Sequence, residues 1–309
     1  MKVAVLFAGQ GSQYVGMGKD FYEQSKVSQE VYDSISMDFD VKRVCFEGPM
    51  ETLNNTAYTQ SCILATSMAI YQTLLEKGIQ PKYVAGLSLG EYSALCAAHV
   101  FSLKDGLEIV RKRGLIMANA LPAGSSKMIA VMNADISLIE QACQEASHGE
   151  TICTIANYNA PSQIVITGNN AGVDKAASIL KEKGVRRMIP LKVSGAFHSP
   201  LLEEASQQLE EVLESIEMDV PSIPVVFNVT GKEEQSHFVE LLTRQIKSPV
   251  KFYPSIEYMI AQGVDTFIEI GPGHTLSGLV KKTNKNVKVY TVDHYEDVEN
   301  LMEAIQNGK

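Results

Sequence analysis

A short apolar segment that ends in a Gly-x-Ser-x-Gly turn constrains the fold of this 309-residue chain more than any other feature. Residues 84–92 read Val-Ala-Gly-Leu-Ser-Leu-Gly-Glu-Tyr, so a strand-like run meets the turn and a helix-like run follows it. Glycines two positions on either side of Ser88 remove side chains that would collide in so sharp a bend. This context predicts a nucleophile elbow, with the serine hydroxyl exposed above a sheet. The alternative is a serine that only caps the following helix.

Strand-like and helix-like segments alternate along much of the chain, which predicts an α/β protein with a parallel sheet covered on both faces. Strands are predicted at residues 3–7, 83–87, 224–229 and 266–270, and helices at residues 62–75, 91–98, 103–120 and 200–215. Gly-rich turns follow three of these strands. Loops at the carboxyl ends of parallel strands are where open α/β sheets place their functional sites.

The middle of the chain follows a different order. Its predicted elements run strand, helix, strand, strand, helix, strand, at residues 127–132, 137–147, 151–156, 163–167, 171–183 and 186–191. The order βαββαβ is typical of a ferredoxin-like unit. We therefore predict a small inserted subdomain at residues 124–192, a large subdomain made of residues 1–123 and 193–309, and an active-site cleft between the two.

Composition argues against several classes of function. The formal net charge of −9 argues against nucleic acid as the main partner. The sequence has no run of eighteen apolar residues and no signal-peptide layout, so we expect a cytoplasmic protein that neither crosses a membrane nor is exported. The five cysteines form no Cys-x-x-Cys pair and the six histidines lack ligand spacing, so reduced thiols and no metal site are expected.

Basic residues gather at two places in this acidic chain, residues 181–187 and 281–288. Such clusters are usually solvated surface. On a protein of net negative charge they are also the natural docking places for an acidic partner.

A serine hydroxyl is a poor nucleophile at neutral pH unless a nearby base accepts its proton. His198 is well placed for this role, since it lies in a Gly-Ala-Phe-His-Ser-Pro segment where the chain returns from the predicted insertion. His274 follows another Gly-rich turn and is a credible competitor. The periodicity of the sequence does not separate the two.

Acyl transfer also needs N–H donors for the negative charge that develops on the carbonyl oxygen. The backbone N–H of Leu89 is one candidate, because it follows the serine at the start of a helix. The Gly-rich loop at residues 8–13 could supply another, although the same loop could cradle a phosphate or be an ordinary turn. Most helical arginines lie on the surface. If Arg113 faces the cleft, it would select substrates that carry a free carboxylate.

Taken together and in this order, several motifs resemble the malonyl-CoA:acyl carrier protein transacylases, members of the acyltransferase family of fatty acid and polyketide synthesis. The resemblance runs essentially from end to end. The matching segments are Gly-Gln-Gly-Ser-Gln at 9–13, Thr-Gln at 59–60, the elbow at 86–92, Arg-Gly at 113–114 with Met117, and residues 157–161, 195–199 and 271–273.

This resemblance implies an α/β-hydrolase-like core with a ferredoxin-like insertion. It implies that Ser88 is the acylated nucleophile and that His198 is its general base. Arg113 would bind the free carboxylate of the malonyl group. Gln10 and the backbone of Leu89 would form the oxyanion hole.

The family also orients its histidine with a main-chain carbonyl, which the resemblance places in residues 249–251, and we predict Lys251 for this role. Phe197 would fill space near the substrate α-carbon and disfavour a methyl branch there. The substrate-binding residues implied in addition to Arg113 are Gln60, Met117, Asn157, Asn159 and Phe197.

The reaction implied is a ping-pong transfer of malonyl from malonyl-CoA to the phosphopantetheine thiol of acyl carrier protein, without a metal or bound cofactor and in a monomer. Alternatives are a trans-acting polyketide acyltransferase, a serine thioesterase or esterase, and a non-catalytic carrier-binding module. The chain departs from the family in two places. Leu87 stands where His is common, and Ser61-Cys62 follows Gln60 where Pro-Ala is common.

Overall fold

The structure is a computed structural model that describes residues 1–191 and 195–307. Its strands, numbered in chain order, are β1 Val3–Phe7, β2 Tyr83–Gly86, β3 Ser126–Met132, β4 Cys153–Ala160, β5 Gln163–Asn169, β6 Arg187–Pro190, β7 Val225–Val226, β8 Thr266–Ile270 and β9 Lys288–Val292. Its α-helices are α1 Lys19–Gln24, α2 Lys26–Asp33, α3 Val41–Glu47, α4 Met50–Asn54, α5 Thr56–Glu76, α6 Leu89–Ala97, α7 Leu103–Asn119, α8 Ile136–Ala146, α9 Asn170–Glu182, α10 Glu203–Glu214, α11 Phe238–Gln245, α12 Phe252–Ala261, α13 Thr275–Thr283 and α14 Tyr295–Gln306. A 3-10 turn, Pro200–Leu202, precedes α10.

The larger sheet is parallel, with strand order β7-β2-β1-β8-β9. Strands β1, β2 and β8 are buried along their whole length, as expected when helices cover both faces of a sheet. Because side chains alternate along a strand, Val5 and Phe7 of β1 join one apolar cluster while Ala4 and Leu6 join another. The predicted parallel-sheet core is confirmed.

One edge strand of this sheet is shorter than predicted. A strand was predicted at residues 224–229, but β7 ends at Val226. The reason is that the backbone N–H of Asn228 donates to the Glu91 carboxylate, at 2.9 Å. That of Phe227 donates to Lys232 O, at 2.9 Å. These N–H groups are therefore used outside the sheet. The opposite edge strand, β9, was not predicted.

Helix α5 begins earlier than predicted and leads directly into the site. It starts at Thr56 because the Asn55 side chain caps it, accepting from the N–H of Ala57 at 3.0 Å. The helix is buried on nearly all sides, so it lacks the polar stripe that marks a surface helix. The four short helices before it, α1 to α4, were not predicted.

The middle of the chain forms an antiparallel sheet with strand order β4-β5-β3-β6. Helices α8 and α9 share an apolar core with this sheet, which includes Ile139, Ile166 and Val173. The order of elements and strands is that of a ferredoxin-like unit, so this part of the predicted fold is confirmed. The predicted boundary between residues 192 and 193 lies outside the described residues.

Backbone hydrogen bonds join the large and small subdomains at one edge of the antiparallel sheet. The N–H of Tyr158 in β4 donates to Val250 O, and the N–H of Val250 donates to Ala156 O, each at 2.8 Å. This bridge brings Asn157 and Asn159 of β4 to the cleft at the end of the parallel sheet. Within the part of the chain that the structure describes, no helix is long and apolar enough to span a membrane.

Candidate active site

The turn between β2 and α6 holds Ser88 in a strained backbone conformation, with φ 54° and ψ −100°. Non-glycine residues seldom adopt a positive φ, and where they do the conformation costs energy that the surrounding structure must offset. The side chain of Ser88 makes no capping hydrogen bond to α6. The alternative of a simple helix cap is therefore wrong, and the turn has the geometry of a nucleophile elbow.

Close backbone packing explains the glycines of the elbow. A Cβ atom on Gly86 would lie 2.0 Å from the carbonyl carbon of Gly90, and a Cβ on Gly90 would lie 2.1 Å from Phe7 O. Neither neighbour can move aside, because both are backbone atoms. Strand β1, the elbow and the start of α6 are thus packed too closely for any side chain at these two positions.

We expect Gly90→Ala to lower the free energy of unfolding by about 3 kcal/mol, since the new methyl group must displace the backbone of β1. Gly278→Ala is the matched control, because nothing lies within 4 Å of a Cβ placed there in helix α13. That control is expected to gain up to about 1 kcal/mol from helix propensity. Urea unfolding of both variants checks the prediction. Equal stabilities would contradict the packing account.

Ser88 and His198 lie within hydrogen-bond distance, with Oγ and Nε2 2.8 Å apart. The other ring nitrogen, Nδ1, is 2.8 Å from the backbone carbonyl oxygen of Gln245. Because a carbonyl can only accept, Nδ1 carries the proton and Nε2 is left as an acceptor for the serine hydroxyl. The ring is thus held in the tautomer that a general base requires. His274, the competitor, is exposed at the start of α13.

The prediction that Lys251 orients the histidine is wrong. The Lys251 carbonyl instead accepts from the N–H and hydroxyl of Ser255 at the start of α12, at 3.1 and 2.7 Å. The carbonyl that contacts His198 belongs to Gln245, the last residue of α11. Carbonyls at the end of a helix lack partners within it, so they are available to a neighbouring donor.

Burial and a nearby positive charge keep His198 neutral. The side chain is 3% exposed. Its removal from water, and then the charge of Arg113, lower the pKa of the imidazole to about 4. A base with this pKa is unprotonated throughout the physiological range and ready to accept the serine proton.

We expect the His198 ring to titrate near pH 4 in the unliganded protein, well below the ordinary histidine value of about 6.5. In Arg113→Ala its pKa should rise, because the positive charge that disfavours imidazolium is gone. NMR of ring-labelled histidine measures both values. A pKa of 6.5 that does not respond to Arg113→Ala would contradict the assignment.

Arg113 of helix α7 also contacts the hydroxyl of Ser88. Its Nη2 lies 3.2 Å from Ser88 Oγ and 2.9 Å from Gln245 Oε1, and its Nη1 lies 2.7 Å from Gln60 Oε1. The guanidinium carbon is 5.1 Å from the centre of the Tyr92 ring. Although the side chain is only 1% exposed and burial lowers its pKa, an arginine remains a cation inside proteins. No carboxylate among the described residues forms an ion pair with it.

Two backbone N–H groups are candidates for the oxyanion hole that the resemblance implies, namely that of Leu89, which directly follows Ser88, and that of Gln10. Leu89 is the first residue of α6, so its N–H has no partner within the helix. The side chain of Gln10 donates to Thr56 Oγ1 at 3.0 Å. None of the described residues accepts a hydrogen bond from either N–H.

A cavity of about 590 Å³ lies between the two sheets' subdomains, and the serine opens into it. The predicted substrate-binding residues that line it are Met117, Asn157, Asn159 and Phe197, together with Gln10, Ser88 and His198. Gln60 lies behind this surface, where its Nε2 contacts Met117 Sδ at 3.5 Å. Asn159 Oδ1 is buried and has no partner among the described residues, so it is available to a polar ligand.

Three polar residues of the site were not predicted: Glu91, Asn228 and Gln245. Asn228 links both sides of the elbow, because its Oδ1 accepts from the N–H of Ser88 and its Nδ2 donates to Gly86 O, each at 2.7 Å. The sequence did contain a signal for Asn228, because this residue is polar and lies within an otherwise apolar predicted strand. Gln245 lies in a segment without a recognised motif, and nothing local distinguished it.

Potential metal ligands do not gather at the site. Across residues 1–191 and 195–307, no three His, Cys, Asp or Glu side chains are placed to hold a metal ion together. The arrangement just described is that of a serine nucleophile with a histidine base, two N–H donors and a buried cation, which suits acyl transfer from a carboxylate-bearing substrate.

Comparisons with known proteins agree with this geometry. The acyl transferase domain family matches residues 5–302. Malonyl CoA-acyl carrier protein transacylase of Bacillus subtilis (strain 168) is 42% identical over 309 residues, which cover 99% of this chain and 98% of that protein. The crystal structure of MCAT from Streptococcus pneumoniae is 48% identical with a TM-score of 0.95, covering 98% of this chain and 99% of that chain. The malonyl CoA-acyl carrier protein transacylase from Clostridium perfringens Atcc 13124 is 41% identical with a TM-score of 0.96, covering 99% and 98%. This chain belongs to the acyl transferase domain family and, within it, to the malonyl CoA-acyl carrier protein transacylases.

Proposed function

We propose that this protein transfers the malonyl group of malonyl-CoA to the phosphopantetheine thiol of an acyl carrier protein, through an ester on Ser88. One observation carries the proposal. The hydroxyl that His198 contacts at 2.8 Å also lies 3.2 Å from the buried guanidinium of Arg113. A nucleophile beside a fixed cation suits an acyl group that ends in a carboxylate.

In the first half-reaction, Ser88 Oγ attacks the thioester carbonyl carbon of malonyl-CoA while His198 Nε2 accepts its proton. The N–H groups of Gln10 and Leu89 stabilise the negative charge on the carbonyl oxygen. When the carbon–sulfur bond breaks, the histidine returns the proton to the departing sulfur. The products are free CoA and a malonyl ester on Ser88.

In the second half-reaction, the carrier's phosphopantetheine thiol attacks the malonyl ester and gives its proton to His198. The new carbon–sulfur bond replaces the carbon–oxygen bond of the ester, and the proton passes to Ser88 Oγ. The enzyme is regenerated and the malonyl thioester leaves on the carrier. This scheme needs no metal or bound cofactor.

A serine thioesterase or esterase would use the same elbow but pass the acyl group to water. Such enzymes normally orient the histidine with a carboxylate. Here a backbone carbonyl contacts His198 Nδ1, and a buried cation lies beside the nucleophile. Both features favour the transferase, and they also argue against a non-catalytic carrier-binding module.

The test is to supply malonyl-CoA with and without a phosphopantetheinylated carrier protein and to measure where the malonyl group goes. We expect malonyl-carrier to accumulate much faster than free malonate. Release of malonate at the same rate with and without the carrier would instead indicate a hydrolase. Kinetics with carriers of fatty acid synthesis and of polyketide synthesis would show which of the two pathways this protein supplies. One similar structure is a type II PKS acyl-carrier protein in complex with its malonyl-transacylase, 37% identical with a TM-score of 0.94.

The basic cluster at residues 281–288 lies close to the cavity. Helix α13 lines the cavity with Leu276 and Leu279, and its last turn carries Lys282. The Nζ of Lys282 lies 2.8 Å from Oε1 of Gln163, which also lines the cavity. We therefore propose this cluster as a docking surface for an acidic carrier.

The monomeric state and the cytoplasmic location remain predictions.

We expect Lys282→Glu with Lys285→Glu to raise the KM for the carrier by about tenfold, because each substitution reverses a charge facing an acidic partner. Formation of the malonyl ester should be unchanged. Lys77→Glu is the control. Lys77 is exposed and follows the last residue of α5, whereas Gln60 lies in the first turns of that helix. Steady-state kinetics at two salt concentrations measures the effect. An equal rise in KM for the control would contradict the docking surface.

A further inference from the structure

A buried carboxylate of the elbow helix lies behind the site without touching the reacting atoms. Glu91 is the third residue of α6 and is 0% exposed. Its Oε1 accepts from the backbone N–H of Asn228 at 2.9 Å, and its Oε2 accepts from Nε2 of Gln245 at 2.5 Å. Removal from water raises its pKa to about 7, while these two hydrogen bonds favour the charged form. Because burying a carboxylate costs free energy, we expect Glu91 to have a function at this position.

The two acceptor oxygens of Glu91 determine which way the Gln245 amide faces. A carboxylate can only accept, so Gln245 must turn its NH₂ toward it. The same NH₂ donates to Ser88 O at 2.8 Å. Oε1 of Gln245 therefore faces Nη2 of Arg113, at 2.9 Å. The reverse orientation would set an oxygen against a carboxylate and a carbonyl, and an NH₂ against a guanidinium.

Through this chain of contacts, Glu91 balances the positive charge of Arg113 without binding the guanidinium directly. A carboxylate bound directly to Arg113 would neutralise it but would compete with the substrate. Glu91 acts through one amide, so its negative charge stabilises the buried cation while Nη2 still faces Ser88 Oγ at 3.2 Å. Among the described residues, Gln245 is the one side chain that bonds to both Glu91 and Arg113.

We propose that Glu91 is a positioning residue for carboxylate recognition: through the amide of Gln245 it holds Arg113 charged and aimed at the acyl group on Ser88. This inference rests on the proposed function. It predicts that loss of the Glu91 carboxylate weakens the binding of an acyl group that carries a carboxylate and leaves an acyl group without one nearly unaffected.

The experiment uses Ser88→Ala as the background, so that binding is measured without chemistry. In Glu91→Gln one acceptor becomes an NH₂, which must face the NH₂ of Gln245 or the N–H of Asn228. If Gln245 turns over to accept from it, an NH₂ then faces Arg113. Calorimetry should show the Kd for malonyl-CoA raised about tenfold or more, and the Kd for acetyl-CoA changed by less than about threefold.

Tyr32→Phe is the control for the loss of a buried hydrogen bond. Tyr32 lies on α2, is 1% exposed and does not line the cavity, and its hydroxyl lies 2.8 Å from Thr66 Oγ1. Its loss should lower the melting temperature without changing the ratio of the two Kd values. If Tyr32→Phe shifts that ratio as much as Glu91→Gln does, the role of Glu91 is general stability and the proposal is overturned.

A double-mutant cycle tests the route of the effect. With Arg113→Ala already present, Glu91→Gln should no longer alter the preference for malonyl-CoA over acetyl-CoA. If Glu91→Gln does not fold, Gln245→Met carries the test, because it removes the linking amide and keeps the backbone carbonyl that His198 needs. Unchanged malonyl-CoA binding in Gln245→Met would overturn the proposal.

Failure of this inference is distinguishable from failure of the proposed function. The protein with Ser88 intact is first incubated with malonyl-CoA and examined for a malonyl ester. Absence of the ester refutes the proposed function. Presence of the ester, with the same Kd ratio in Glu91→Gln as in the parent, refutes only the role of Glu91.

Discussion

Ser88→Ala should abolish the malonyl ester and lower malonyl transfer by roughly four to six orders of magnitude, as expected when a catalytic serine is removed. The reason is geometric. His198 Nε2 lies 2.8 Å from Ser88 Oγ, and no other described hydroxyl contacts that nitrogen. Steady-state transfer from malonyl-CoA to the carrier measures the loss.

Ser93→Ala is the matched control for this variant. Ser93 lies on the same helix, is fully buried, and its hydroxyl has no partner among the described residues. We expect its transfer rate to stay within about threefold of the parent, because no hydrogen bond is lost. If Ser88→Ala loses no more activity than Ser93→Ala, Ser88 is not the nucleophile.

Arg113→Ala should change what the enzyme selects. Loss of a charge-assisted hydrogen-bonded pair costs about 1.5 to 3 kcal/mol, so kcat/KM for malonyl-CoA should fall about 10- to 150-fold. Acetyl-CoA has no carboxylate to lose, so its kcat/KM should change far less. Competition between the two thioesters in a single reaction measures the ratio directly.

Arg113→Lys separates charge from geometry. Lysine keeps the positive charge but lacks the planar fork that contacts Gln60, Gln245 and Ser88 together. We expect it to recover only part of the preference for malonyl-CoA. Equal losses of malonyl and acetyl transfer in Arg113→Ala would show that the guanidinium does not bind the substrate carboxylate.

The central strands were predictable because their signal is local. Strands β1 and β2 are continuous apolar runs, β8 is mostly apolar, and a glycine turn follows each of them. The βαββαβ order revealed the inserted unit. The failures have tertiary causes. Strand β7 ends early because Glu91, far away in sequence, takes the N–H of Asn228. The early start of α5 depends on a cap at Asn55 that precedes its apolar segment.

The site residues that lie in short sequence motifs were predictable. Those whose place in the site depends on tertiary packing were not. The Gly-x-Ser-x-Gly turn indicated Ser88, and the family resemblance indicated His198 and Arg113. Lys251 was a wrong choice because the residue that orients His198 is decided by where helix α11 ends. Gln245 contacts the site with both its side chain and its carbonyl, yet it has no local signature.

The central claim is that Ser88 carries the malonyl group between two thiols, and intact-protein mass spectrometry tests it most directly. The protein is incubated with malonyl-CoA alone, quenched in acid and weighed, then exposed to the phosphopantetheinylated carrier. The account predicts a mass increase of one malonyl group, its location on Ser88 by peptide mapping, its absence in Ser88→Ala, and its loss when the carrier is added. An unmodified protein that still forms malonyl-carrier, or an adduct that persists in Ser88→Ala, would contradict the account.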